Sequence, residues 1–125
     1  MKRDMDLIRQ IVLATADLEY GAILTELPDV APEAFATHVA WMDEAGLVKA
    51  THKEGGGGSM ATFAAVFRLT WAGCEFADAV RSDTLWSKAK SNILKPGISF
   101  TFDVLKDWLK SEITQGLPTI RALGQ

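Results

Sequence analysis

Six cations and one hydroxyl carry the chemistry this sequence offers most openly: Lys2, Arg3, Arg9, Lys49, Lys53, Arg68 and Thr37. Lysine and arginine hold phosphates, and groups on a helix that enters a groove can reach base edges. The cations lie in three separate stretches. Scattered surface cations do the same to any solvated face, so they become a site only if the fold gathers them. A second set is aromatic. Trp41 and Trp108 stand on or beside amphipathic stripes, and aromatic side chains concentrate in the cores of protein interfaces.

Other chemistries are poorly supplied. Asp4 and Asp6 are two residues apart, and Asp43 and Glu44 are adjacent. On a helix neither spacing converges two carboxylates on one substrate atom. Ser59 and Ser99 have no evident His and Asp partners. The run "GGGGS" lacks the Gly-Lys-Ser/Thr ending of a phosphate loop. One cysteine, Cys74, and two histidines, His38 and His52, show no close metal-ligand spacing. A non-enzymatic protein without metal or cofactor is expected. Most histidines flanking an apolar stripe are packed and hydrogen-bonded, and His38 is read that way.

The elements that must position these residues follow from periodicity. Leu7, Ile8, Ile11 and Val12 share one face of a helix over residues 3–16. Asp4 and Asp6 favour the positive end of its dipole. Residues 17–31 fit a short helix or a short strand. Pro32 suits the first turn of a second helix over residues 32–45, with Phe35, Val39 and Met42 on its stripe. Glu33, Thr37, Ala40 and Glu44 form the opposite face, read as solvated. Gly46 ends it. "LVKATHKE" and "ATFAAVFRLTW" are β-compatible runs flanking "GGGGS", so they read as a hairpin with a glycine tip at residues 54–60. Thr70 caps a helix over residues 71–81 with Trp71, Phe76 and Val80 turned inward. Ser82 or Asp83 caps the next, through Leu85, Trp86, Ala89 and Ile93, stopped by Pro96-Gly97. Ser99 or Thr101 opens the last, with Phe102, Leu105, Trp108 and Leu109 as its stripe, closed by Gly116 and Pro118.

Length and composition set outer bounds. The chain has 125 residues and is 48% hydrophobic, which suits one ordinary folded domain. No apolar run approaches the roughly 18 residues of a membrane helix. Asp4, Asp6 and Arg9 interrupt the apolar start, so no secretory signal is read there. A single cysteine excludes an internal disulfide and fits a reducing compartment. A soluble, cytoplasmic protein away from membranes is expected. The net charge is −3, so any nucleic-acid footprint must be a local patch.

A helix running into "EAGLV" and then a hairpin is the pattern of a winged helix. The expected fold is mainly α with a small β-hairpin: a winged helix-turn-helix over residues 1–94, followed by a C-terminal helical extension over residues 95–125. "MKRDMDLIR", "HVAWMDEAGLVKA" and "RLTWAGCEFADAVRSDTLWSKAK" resemble an uncharacterised bacterial and prophage family of unknown function. The resemblance covers roughly residues 1–94, and more weakly "SFTFDVLKDWLKS". It implies a winged-helix fold and supplies no activity. Cys74 departs from the family pattern, which carries histidine after "LTWxG".

Two functions fit these residues. One is a DNA-associated regulator of bacterial or prophage type, gripping double-stranded DNA through the wing and the first helix, with a homodimer supplying the second half-site. It requires a continuous positive surface joining the first helix, the wing and Arg68. The other is a protein-interaction module on the same scaffold, such as a modulator of a host protein. The acidic second helix, without Lys or Arg, and the flanking Trp41 favour this one.

Overall fold

A computed structural model of the chain describes residues 1–54, 61–95 and 100–116. Five helices and one hairpin follow in the order α1 (Met5–Ala16), α2 (Pro32–Glu44), β1 (Val48–Glu54), β2 (Ala61–Leu69), α3 (Trp71–Val80), α4 (Asp83–Asn92) and α5 (Phe102–Gly116). The chain divides into two compact units, Met1–Ala77 and Asp78–Gln125. The fourth helix thus groups with the C-terminal segment rather than with the hairpin. The glycines of the expected wing tip, Pro96-Gly97, Ser99 and Pro118 lie outside the described residues.

α1 starts two residues later than its periodicity suggests because Asp4 caps it. The Asp4 carboxylate accepts from the backbone N–H groups of Asp6 and Leu7 at 3.0 and 3.3 Å. It thereby satisfies donors that no helical carbonyl can reach. Leu7, Ile8, Ile11 and Val12 are buried, as their spacing requires. No helix forms between Ala16 and Pro32. Leu24 instead makes a single antiparallel bridge to Val66, donating at 3.0 Å and accepting at 2.8 Å. Asp29 turns the chain in the left-handed region, at φ 60°, which Asp tolerates better than most residues. Residues 17–31 form neither the short helix nor the short strand that their composition allows: apart from the isolated Leu24 bridge they are turn and coil.

α2 is the centre of the first unit. Both hairpin strands and α1 pack on it. Phe35 through Ala40 are all buried, and so is Met42. The expectation of a solvated face along Glu33, Thr37, Ala40 and Glu44 is therefore corrected. Glu33 and Glu44 are exposed near the two ends, while Thr37 and Ala40 are buried. The small size of both residues allows close packing, and a helix covered on several sides keeps no open stripe.

The turn after α2 and the start of α3 are clasped together. Gly46 takes a φ of 78°, ending α2 at little steric cost. The Leu47 carbonyl accepts from the Thr70 N–H at 3.0 Å, and the Thr70 hydroxyl donates to the Gly46 carbonyl at 2.5 Å. That hydroxyl also accepts from the Gly73 N–H at 3.0 Å, capping α3. A Cβ on Gly73 would sit 1.9 Å from the Leu47 oxygen, so only glycine lets α3 approach this closely. Trp71 does not turn inward; it is 81% exposed, and its indole N–H donates to the Glu75 carboxylate. Phe76 and Val80 are buried as expected.

In the second unit Ser82 caps α4, accepting from the Leu85 N–H at 3.1 Å. Thr101 caps α5, accepting from the Val104 N–H at 3.3 Å. Trp86, Ala89, Leu105 and Leu109 are buried, and Lys88 pairs with Glu112 at 3.0 Å between the two helices.

Candidate nucleic-acid interface

Strand register decides which hairpin residues share a face. Lys49 stands opposite Arg68, Thr51 opposite Ala65, and Lys53 opposite Phe63. Directly opposed residues lie on the same side of a sheet, and every second residue of a strand returns to that side. One face of the hairpin therefore carries Lys49, Thr51, Lys53, Phe63, Ala65 and Arg68. The other carries Val48, Ala50, His52, Ala64, Val66 and Leu69, and His52 Nε2 meets Asp43 Oδ2 of α2 at 3.3 Å. α2 packs on that second face, so the cations point away from it.

The register shifts between Lys49 and Ala50, where β2 carries one extra residue, Phe67. Such a bulge re-aims side chains. Phe67 is 44% exposed, and Phe63 is 52% exposed. Lys49, Lys53 and Arg68 are exposed as well. Neither lysine has an ion pair among the described residues. Arg68 Nη1 donates to the Leu69 carbonyl at 3.0 Å, which ties the guanidinium to the end of β2. The single carboxylate of the two strands, Glu54, stands at the end of β1 opposite Ala61.

The structure brings together only half of the expected cation set. Lys2 and Arg3 are exposed ahead of α1, where the Asp4 N–H donates to His38 Nε2 of α2 at 2.9 Å. That contact ties the segment they belong to onto α2, and neither lies on a hairpin strand. Arg9 is half-buried and already engaged in an interaction of its own. The continuous positive surface required of a duplex reader is replaced by a local patch of three. Thr37 is corrected outright as a contact residue. It is 2% exposed, and its hydroxyl finds no hydrogen-bond partner among the described residues.

His38 behaves as a packed histidine. Its Nδ1–H donates to the Ala34 carbonyl at 2.7 Å while Nε2 accepts from Asp4, which fixes one neutral tautomer. Trp41 is half-buried with its ring edge-on to His38, centroids 5.1 Å apart. Trp108 is half-buried in the second unit.

A shallow groove of about 360 Å³ lies beside the hairpin base, lined among others by Tyr20, Phe67, Arg68 and Cys74. Cys74 is a free, exposed thiol on α3. Among the described residues no cluster of His, Cys, Asp and Glu could hold a metal ion, and no helix is long and apolar enough to cross a membrane.

Residues 2–99 match the family described as Hypothetical protein (DUF2513). The chain belongs to that family. An uncharacterized protein of Haemophilus influenzae (strain ATCC 51907 / DSM 11121 / KW20 / Rd) is 31% identical over 122 residues, covering 94% of this chain and 99% of the relative. No solved structure matches the chain. The DUF2513 match takes in the first unit from Lys2 onward and α4, so the hairpin and the Thr70–Gly73 clasp both fall inside it.

Sequence reasoning missed Phe63 and Phe67. Both sit in "ATFAAVFRL", a run whose composition reads as core. The alternation of Lys49, Thr51 and Lys53 marked the outer side of β1. Assigning Phe63 to that side needs the register, and exposing Phe67 needs the bulge.

Proposed function

We propose that this DUF2513 chain is a non-enzymatic, DNA-associated protein of bacterial or prophage type, built on a winged-helix plan, with the hairpin as its wing. The observation that carries the reading is the outer hairpin face, where register gathers Lys49, Lys53 and Arg68 with no carboxylate on either strand but the terminal Glu54, while Glu19 lines the groove beside Arg68. The winged-helix plan is supported by the order of α1, the Leu24 bridge, α2 and the hairpin, with Leu24 bridging to Val66 on β2. A helix-turn-helix would need a further helix between Leu24 and α2, and that segment is turn and coil. With α2 buried, binding falls on the phosphate backbone rather than on base edges. A homodimer would add phosphate contacts in this scheme, not a second base-reading half-site. Fluorescence anisotropy with random duplex DNA tests it. Affinity should fall steeply between about 50 and 200 mM salt, and Lys49→Glu with Lys53→Glu should abolish binding at the low end. No binding at the lowest salt would sink this reading.

A second reading, a protein-interaction module, is supported by exposed aromatics: Tyr20 and Phe67 line the groove, and Trp71 stands largely exposed at the start of α3. Aromatic side chains of this kind anchor protein interfaces. Under this reading Trp71→Ala, and not the half-buried Trp41→Ala, removes capture of a partner, and Lys49→Glu leaves it intact.

A further inference from the structure

We infer that the outer hairpin face takes single-stranded nucleic acid, with bases stacked on Phe63 and Phe67 and phosphates held by Lys49, Lys53 and Arg68. This rests on the nucleic-acid reading above and names its substrate class. Two phenylalanines half in water lose the burial that would otherwise favour them, and both stand among cations of one sign. Phe63 is registered directly opposite Lys53, and Phe67 is the bulged residue beside the Lys49–Arg68 pair. Between the two ends the face carries only the exposed Thr51 and the buried Ala65, both short side chains. At about 3.3 Å per residue the two rings lie roughly 10 to 13 Å apart along β2, so each can take its own base.

This arrangement matches the physics of single-strand binding. Cations track the backbone while aromatic faces stack unpaired bases without regard to sequence. A duplex offers these rings little, because its bases are already stacked inside. A protein partner could also use the aromatics, but the three cations beside them, two of them lysines without an ion pair among the described residues, give charge complementarity to a polyanion. Arg68 adds a planar guanidinium, which stacks on bases as well as pairing with phosphate.

The experiment compares labelled dT20 with a random 20-base-pair duplex by anisotropy, using the full chain at one low salt concentration. dT20 should bind at least about tenfold more tightly. Phe63→Ala should weaken dT20 binding at least about fivefold, leaving its salt slope and duplex binding unchanged. Phe63→Tyr should restore it, and far-UV circular dichroism should be unaltered because the side chain is exposed. Equal or tighter duplex binding, with Phe63→Ala silent, overturns the stacking inference and leaves the phosphate-binding proposal standing. No binding of either nucleic acid overturns both and leaves the face to a protein partner.

Discussion

Gly73 and Thr37 show how single atoms decide this fold. A methyl group on Gly73 would overlap the Leu47 oxygen, so Gly73→Ala must push α3 off the turn after α2. The expected loss is about 3 kcal/mol, read by urea denaturation, with the transition showing a less stable but still cooperative first unit. Thr37 gives the opposite sign. Its buried hydroxyl lacks a partner, and valine has the same β-branched shape. Thr37→Val should leave stability unchanged or raise it by up to about 1 kcal/mol. A clear drop in stability would mean that the hydroxyl is used in the folded chain. Both outcomes were closed to sequence reading. "RLTWAG" marks Thr70 as a cap, but the close approach at Gly73 involves Leu47, far earlier in the chain. Thr37 was assigned to water because it lies opposite an apolar stripe, and that geometry fails when a helix is covered on more than one side.

At the scale of elements, the hairpin separates charge from packing. Its inner face is buried on α2, and its outer face holds the cations, so charge reversal there should not disturb the core. Lys49→Glu and Lys53→Glu are each expected to change stability by no more than about 0.5 kcal/mol, read by thermal unfolding. The same changes should lower the slope of log affinity against log salt by about one for each phosphate no longer neutralised. A shared fall in stability and affinity would show that the outer face is structural. α4 and α5 offer a contrasting case. The Lys88–Glu112 pair between them is substantially exposed on the lysine side. Lys88→Ala should cost no more than about 1 kcal/mol by thermal melt. Burial of Trp86, Ala89, Leu105 and Leu109 is expected to dominate that pairing.

The whole molecule is two compact units with different dependencies. The first has a three-part core of α1, α2 and the hairpin, closed by the Thr70–Gly73 clasp. The second depends on α4 and α5 covering each other's apolar stripes. Ending the chain at residue 95 removes α5, leaving Trp86 and Ala89 without that cover. Helical signal in circular dichroism should then fall by more than the 15 residues of α5 account for, because α4 frays as well. Nucleic-acid binding through the hairpin should survive the truncation, since every residue assigned to it lies in the first unit.

Local order was written into the sequence. Helical stripes such as Leu7, Ile8, Ile11 and Val12, the caps Ser82, Thr70 and Thr101, the stop at Gly46 and the hairpin strands all follow from short-range rules, because their physics involves neighbours within about four residues. Tertiary structure decided what needs partners from afar. It settled residues 17–31 as turn and coil with a single bridge from Leu24 to Val66, since bridging needs a partner far along the chain. It buried Thr37 and Ala40, exposed Trp71, and turned out Phe67 through a one-residue bulge. It also split the cations, setting Lys49, Lys53 and Arg68 on one hairpin face and Lys2 and Arg3 ahead of α1. Periodicity fixes which side of an element is apolar, but only packing fixes how many sides are covered and which surfaces end up facing the same way.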